Sequence, residues 1–227
     1  SVDGGTFAIS NVPFNTPVAA FKSRLTPATA ATFEVYESDE TTLATTLATG
    51  HKVIVTAEAG NTQAYTIELL AAPTGDLFIS EYLEGASNNK AIEIYNGTGV
   101  ALDLAPYTVK LAGNGGAWGS PQTLSGILAN GEVYVIGNAS ANAAILAQSD
   151  ITSSVTFFNG DDALGLFNND VLIDIFGQQG SDPGTGWSVA GITNATVDHT
   201  IIRKSAITLG NTDWATSFGT NETDSEW

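Results

Sequence analysis

Leu77-Phe-Ile-Ser-Glu-Tyr-Leu-Glu-Gly-Ala-Ser-Asn-Asn-Lys-Ala-Ile-Glu-Ile-Tyr-Asn96 is the stretch that decides the fold of this chain. It holds two segments rich in Ile, Leu, Phe and Tyr, residues that suit the pleated, half-buried surface of a β-sheet. The Gly, Ser and Asn residues between these segments are typical of a turn. The stretch therefore predicts two β-strands joined by a polar loop.

The residues after this stretch continue the pattern of short apolar segments separated by turn signals such as Asn96-Gly97. Many short strands between turns predict a β-sandwich. Residues 171–176 are apolar on both faces and are predicted to form a central strand, while 139–148 are predicted to contain a helix with Ile145 and Leu146 packing inward. The predicted strands span 77–83, 90–95, 107–111, 132–136, 155–158, 163–167, 171–176 and 200–203.

A domain boundary is predicted at Ala71-Ala-Pro-Thr-Gly75, because this segment is short and has no hydrophobic periodicity. We therefore predict a small β-rich domain with one short helix at 1–72, followed by the sandwich domain at 76–227.

The first domain is expected to combine strands with that helix. Val18, Phe21 and Leu25 follow helical spacing, and Asn15 or Thr16 is placed to cap the helix. Alternating apolar residues predict the strands 6–12, 33–36, 51–57 and 63–70.

The charge and composition of the chain exclude several classes of function. The net charge is −17, with seven Lys and Arg against 24 Asp and Glu, so the surface repels nucleic acids and anionic membranes. The simplest interpretation of the acidity is solubility, and tolerance of salt or divalent cations is the alternative. There is no Cys, no apolar run long enough to cross a membrane and no signal peptide, so a mature or excised segment is expected.

Several motifs in order resemble the lamin-tail domain of secreted bacterial proteins, over residues 76–227. They are Phe78-Ile-Ser-Glu-Tyr-Leu-Glu-Gly85, Asn88-Asn-Lys-Ala-Ile-Glu-Ile-Tyr-Asn96, Leu102-Asp-Leu104 with Tyr107, Gly131-Glu-Val-Tyr-Val-Ile136, Gly160-Asp-Asp-Ala163 and Ile173-Asp-Ile-Phe-Gly177. The resemblance implies an immunoglobulin-like β-sandwich that binds or tethers and does not catalyse. Residues 50–67 resemble the closing hairpin of small β-rich repeats on bacterial surface proteins.

The residues themselves also argue against catalysis. The histidines are His51 and His199, and the adjacent Asp198 would point to the opposite face of a strand from His199. No Gly-x-Ser-x-Gly elbow occurs. Glu81 and Glu84 flank Tyr82-Leu83, but a glycosidase would need its two carboxylates beside a cleft. We therefore predict that the chain is not an enzyme.

Two sets of residues are candidates for binding. Asp161 and Asp162 supply the hard oxygen ligands that calcium prefers, although they could instead cap the amides of a turn. Trp118 and Trp187 lie near Gly-rich loops and could offer ring faces to a sugar or a protein, although a buried Trp in the sandwich is the alternative. Calcium is therefore the one cofactor that the sequence suggests.

Three functions are consistent with these observations. The first is a non-catalytic binding or attachment module of a secreted or cell-surface protein, with a protein or polysaccharide surface as its partner. The second is the accessory region of a secreted nuclease or phosphatase whose catalytic domain lies outside this chain. The third is a subunit that self-associates into a surface layer or filament, which open strand edges would allow. All three imply an extracellular or cell-surface location, without binding to nucleic acid or insertion into a membrane.

Overall fold

The computed structural model describes residues 2–14 and 16–227, so Asn15, one of the two predicted helix caps, lies outside the described residues. The chain divides into two compact units, Ser1–Ala72 and Pro73–Trp227. Both units are built mainly from β-strands. The predicted fold class is therefore confirmed.

The N-terminal unit is a mixed sheet with one short helix among its described residues. The strands are β1 (Val2–Asp3), β2 (Ala8–Val12), β3 (Thr32–Tyr36), β4 (Lys52–Thr56) and β5 (Thr62–Leu69), and the helix is α1 (Val18–Lys22). The sheet order is β1-β2-β5-β4-β3, in which the β2 and β5 pair is parallel. Buried apolar side chains from the sheet and the helix form its core: Ile9, Val12, Phe21, Val35, Val53 and Ile67.

Helix α1 begins without a side-chain cap from any residue that the structure describes. Pro17 occupies the N-cap position, where no side chain accepts a hydrogen bond, so Thr16 does not act as the predicted cap. The helix is held by packing, because Phe21 is buried in the core while Val18 and Leu25 pack against it.

The C-terminal unit is a sandwich of two main sheets, whose strands pair in antiparallel fashion except for β12 and β13. Its strands are β6 (Phe78–Glu84), β7 (Lys90–Tyr95), β8 (Leu102–Asp103), β9 (Tyr107–Ala112), β10 (Gln122–Thr123), β11 (Ile127–Leu128), β12 (Val133–Gly137), β13 (Ile151–Thr152), β14 (Ala163–Asn168), β15 (Val171–Phe176) and β16 (His199–Ile202). One sheet has the order β13-β12-β7-β6-β16 and the other β10-β9-β14-β15, and β8 pairs with β11 separately. Two short helices, α2 (Ala143–Leu146) and α3 (Trp214–Phe218), complete the unit.

The core of this unit contains an aromatic stack between the two sheets. The Tyr82 ring on β6 stacks on Phe158 and on Phe176, with ring centroids 4.7 Å and 4.1 Å apart. Trp214 and Trp227 also contact the ring of Phe176. The C-terminal segment therefore contributes to the same core as the central strands.

A buried ion pair joins the two sheets of this unit. The Arg203 guanidinium, just after β16, donates to both carboxylate oxygens of Asp174 on β15, over 2.7 Å and 3.1 Å. The Ile79 and Asn211 amides also donate to the Asp174 carboxylate. Burial raises the pKa of Asp174, and the Arg203 charge and these hydrogen bonds oppose that rise.

Three local predictions differ from the structure. Residues 171–176 do form a strand, but β15 is the last strand of its sheet, and the Ile175 amide donates to Asn211 O of the C-terminal segment. Residues Ser154–Thr156 form a 3-10 helix where a strand was predicted, because Ser153 Oγ accepts from the Val155 amide. Helix α2 is shorter than predicted, with Ile145 half-buried and Leu146 37% exposed.

Candidate functional site

A groove of about 750 Å³ crosses the outer face of the β13-β12-β7-β6-β16 sheet of the C-terminal unit, opposite the core. Its floor includes Leu83 on β6, Ala91 on β7, and Val133 and Val135 on β12. The outer face of a sheet with one face on the core usually carries polar residues. The apolar floor departs from this rule, so it is a candidate for binding.

Strand register explains how these residues come together. In an antiparallel pair, residues directly opposite each other place their side chains on the same face of the sheet. Two rows of outer-face residues run across β16, β6, β7 and β12: Thr200, Leu83, Ala91 and Gly137 in one row, and Ile202, Glu81, Glu93 and Val135 in the next. The first row is uncharged, and the second carries two adjacent carboxylates.

Helix α2 forms one wall of the groove. The Asn142 side chain caps it by accepting hydrogen bonds from the Ala144 and Ile145 amides over 3.0 Å and 3.1 Å. The segment after the helix approaches the sheet closely at Gly137, where an added Cβ would lie 2.2 Å from Ser149 Oγ. The Asn142 amide also donates to Asn89 Oδ1 over 2.9 Å, which ties the wall to the loop between β6 and β7.

Glu81 and Glu93 lie directly opposite each other in the groove. Like charges in this position destabilise a sheet. Burial raises the pKa of the Glu81 carboxyl above its ordinary value of 4.5, and the Glu93 charge adds to the rise. Glu93 Oε1 accepts a hydrogen bond from Ser80 Oγ over 2.7 Å, which fixes its position.

The rim of the groove is also acidic. Asp150 lies just before β13 and alongside β12, where its carboxylate accepts the Val135 amide over 2.8 Å. Asp198 and His199 line the opposite side beside β16, and the His199 ring hydrogen-bonds through Nδ1 to Val197 O. Lysine, arginine, tryptophan, tyrosine and phenylalanine are absent from the residues that line the groove in the described part of the chain.

The basic residues of this unit are engaged elsewhere. Lys90 lies on the core side, where its ammonium contacts Glu84 Oε1 at 3.0 Å and donates to Phe158 O. Arg203 pairs with Asp174, and the Lys110 ammonium pairs with Asp170 over 3.1 Å. The Lys204 ammonium donates to backbone carbonyls of the C-terminal segment. None of these cations is placed to neutralise the groove.

His199 is flanked in the groove by Asp198 and by Thr200, which supplies a hydroxyl group. Across residues 2–14 and 16–227, neither serine nor cysteine lines the groove. Glu84, considered with Glu81 as a carboxylate pair, faces the core with Lys90 and accepts the Asp198 amide over 2.6 Å. Glu81 and Glu84 are therefore on different faces of β6.

Asp161 and Asp162 have different environments. Asp162 is buried, and its two carboxylate oxygens accept the Asn114 and Asn159 amides, each over 2.7 Å. Asp161 Oδ1 is buried without a hydrogen-bond partner, and burial raises the pKa of its carboxyl. Asp162 thus acts as a cap for backbone amides, which was the alternative to calcium.

The fit to calcium is poor at this turn. Calcium takes about six to eight oxygen ligands, whereas the Asp162 oxygens are already bonded to amides. Throughout the residues that the structure describes, no three His, Cys, Asp or Glu side chains group closely enough to hold a metal ion. Calcium binding at Asp161 and Asp162 stays a prediction.

Trp118 and Trp187 are not brought together into one surface. Trp187 is only 8% exposed, and its indole N–H donates to Asp162 O over 2.9 Å. Trp118 is half-buried and packs edge-on against Phe167 with centroids 5.5 Å apart. Both rings pack with the core of the sandwich, which was the alternative interpretation for tryptophan.

The sequence did not predict the groove, because its walls come from segments far apart in the chain. One signal was present in the hairpin. If Glu84 pairs with Lys90, the same register places Glu81 opposite Glu93, as the structure shows.

Comparisons with known proteins support the fold. The sequence model of the Lamin Tail Domain family matches residues 70–180, which confirms the predicted domain for this stretch. The match includes β6, β7, β12 and α2 of the groove and ends before β16. No curated protein and no solved structure matches the chain. Among the described residues, the helices are all too short or too polar to span a bilayer.

Proposed function

We propose that this chain is a non-catalytic binding and attachment module of a secreted or cell-surface bacterial protein, and that the groove is its binding site. The match to a lamin-tail domain supports this proposal, because such immunoglobulin-like domains often bind without catalysing. The acidic, cysteine-free composition is consistent with an extracellular location. The N-terminal unit would then act as a spacer repeat.

The observation that carries the proposal is the apolar floor on the outer sheet face. Val133 is 38% exposed, and Leu83 and Val135 are half-buried in the uncovered groove. The groove volume of about 750 Å³ falls within the range of roughly 300–1,000 Å³ that is typical of ligand sites. Apolar surface in a concave site of this size gains free energy when a partner covers it.

The lining of the groove favours a protein partner over a polysaccharide. Sugar rings are commonly bound on the flat faces of Trp, Tyr and Phe side chains, and none of these lines the groove in the described residues. Aliphatic side chains such as Leu83 and Val135 instead match the aliphatic side chains of a polypeptide. The partner that we propose is therefore a polypeptide segment.

A random-peptide display library tests the binding function. Peptides are selected on the purified chain, and their affinities are measured by fluorescence polarisation for Val133→Gln and for the control Val171→Gln. Val171 is 64% exposed on β15, in the other sheet. We expect the first change to weaken the selected peptides by about tenfold, which corresponds to ~1.4 kcal/mol, and the control to leave them unchanged.

Two outcomes would contradict the proposal. One is that no peptide is enriched, and the other is that enriched peptides bind Val133→Gln as tightly as the unaltered chain. Thermal unfolding of both variants by circular dichroism shows whether they are folded.

A further inference from the structure

Resting on the binding function above, we propose that the groove selects polypeptide segments in which a Lys or Arg side chain lies between apolar side chains. The cation would bind the Glu81 and Glu93 carboxylates, and its neighbours would cover Leu83, Ala91 and Val135.

The two glutamates lie directly opposite each other on neighbouring strands. Glu81 and Glu93 are register partners on the groove face, and burial together with the Glu93 charge raises the pKa of Glu81. A sheet with two opposed carboxylates is less stable than one with a neutral or oppositely charged pair. A bound cation would remove this repulsion, so the pair binds a positive group more favourably than a single carboxylate would.

Second, no lysine or arginine lies in the groove among the residues that the structure describes. Lys90 and Arg203, the basic residues on the flanking strands, are buried with Glu84 and Asp174. The remaining groups at the rim are Asp150, Asp198 and His199. The Asp150 and Asp198 carboxylates add to the negative charge of Glu81 and Glu93, and no lysine or arginine among the described lining residues offsets it.

Third, charge and apolar contact occur in neighbouring rows. The row of Glu81 and Glu93 lies beside the row of Leu83 and Ala91, and it ends at Val135. A free polyamine or a metal ion would satisfy the carboxylates but leave the aliphatic floor uncovered. A basic residue with aliphatic neighbours satisfies both, because the stem of Lys or Arg itself packs on apolar surface.

Long-range electrostatics favours the same class of partner. The net charge of −17 attracts basic segments and accelerates their association, and it repels nucleic acids and anionic lipids. It also disfavours a second copy of this chain, because the groove of one copy would meet an acidic surface on the other.

The test uses the peptide with the highest affinity from the display selection and its twin, in which each Lys or Arg is replaced by Gln. Both are titrated against the unaltered chain, the double variant Glu81→Gln/Glu93→Gln and the control Glu222→Gln, which alters an exposed glutamate outside the groove. Glutamine preserves the size of each side chain and the acceptor for Ser80.

We expect the double variant to weaken the basic peptide by about tenfold, since close charge pairs at interfaces couple by at least ~1.4 kcal/mol. The affinity of the twin peptide for the double variant should change by less than about twofold. The control Glu222→Gln should leave the affinity of both peptides unchanged. The affinity of the basic peptide should also fall with added salt, since exposed charges are screened.

The outcomes separate this inference from the binding function. Peptides that depend on Val133 but show no preference for Lys or Arg, or no loss in the double variant, overturn the cation inference and leave the groove as a binding site. Peptides that do not depend on Val133 overturn both. Spermidine that competes as strongly as the peptide, or dimerisation that Val133→Gln abolishes in sedimentation experiments, overturns the assignment of a polypeptide partner.

Discussion

Two cross-strand pairs of charged residues in the hairpin of β6 and β7 lie on opposite faces of the sheet and differ in the charge of one partner. On the core side, Glu84 lies opposite Lys90, with Oε1 and Nζ 3.0 Å apart. On the outer side, Glu81 lies opposite Glu93, and no lysine or arginine accompanies them in the described lining of the groove. The fold neutralises the Glu84 carboxylate that it buries, and it leaves the Glu81 and Glu93 carboxylates on the outer face to repel each other. Local conflicts of this kind concentrate at functional sites.

The inner pair is part of a larger network. The Lys90 ammonium also donates to Phe158 O and Asn159 Oδ1, and Glu84 accepts the Asp198 amide. These bonds connect β7 to the segment between the two sheets and to the start of β16. The network therefore positions the rim of the groove as well as the core.

The largest expected effect comes from breaking the inner pair. Lys90→Ala leaves the Glu84 carboxylate and Phe158 O without their cation in a buried site, and removing one partner of a buried pair costs about 3–5 kcal/mol. We expect the free energy of unfolding to fall by about this amount, measured by chemical denaturation.

Lys110→Ala is the matched control for this change. The Lys110 ammonium also pairs with a carboxylate, that of Asp170, but the Asp170 side chain is 84% exposed. A pair whose carboxylate is exposed to solvent contributes about 0–1 kcal/mol, so the loss should stay below that of Lys90→Ala although Lys110 itself is largely buried. Equal losses of stability in the two variants would contradict the distinction between the inner and outer faces.

A second test compares neighbouring residues on β12 that face opposite sides of the sheet. Ile136 is fully buried in the core, so Ile136→Ala should lower the free energy of unfolding by about 2–5 kcal/mol. Val135 faces the groove and is half-buried, so Val135→Ala should cost less than about 1 kcal/mol. The effect on peptide binding should be reversed, with a loss of affinity for Val135→Ala in fluorescence polarisation. Comparable stability losses would show that the groove face is packed as tightly as the core.

The sequence was sufficient to predict the parts of the fold that depend on local pattern. The strands at 90–95 and 171–176 were predicted with the bounds that the structure has, because alternating or continuous apolar runs between turn residues determine them. The place of a strand within its sheet depends on partners far along the chain. For this reason the central position predicted for 171–176 was wrong, and the C-terminal segment at Asn211 covers that edge instead.

The candidate site was harder to predict for the same reason. A groove forms only when Leu83, Ala91, Val133 and Ile145 from four separate elements come together. The tryptophans attracted attention because of their residue type, yet Trp187 lies in the core. Residue type alone does not show on which side of a sheet a side chain lies, whereas cross-strand register does.

The smallest expected effect, and the most direct test of the outer pair, is a gain of stability on removing one of its charges. Glu93→Gln keeps the acceptor for Ser80 and removes the repulsion with Glu81, so the free energy of unfolding at neutral pH should rise by about 0.2–1 kcal/mol. The same change should weaken binding of the basic peptide. A loss of stability would mean that Glu81 and Glu93 do not repel each other.

The pH dependence of this gain follows from the raised pKa of Glu81. A carboxyl with a higher pKa in the folded state favours the protonated form there, so the native protein is relieved of repulsion as pH falls through that pKa. The increase in the free energy of unfolding caused by Glu93→Gln should therefore be complete at neutral pH. It should disappear below pH about 4, where carboxyls become protonated. In an NMR titration, the pKa of Glu81 should fall towards 4.5 in Glu93→Gln but stay above it, because burial, the larger cause of the rise, is unchanged. An unchanged pKa of Glu81 would show that the two carboxylates are not coupled, and the reason for assigning a cation to this groove would then be lost.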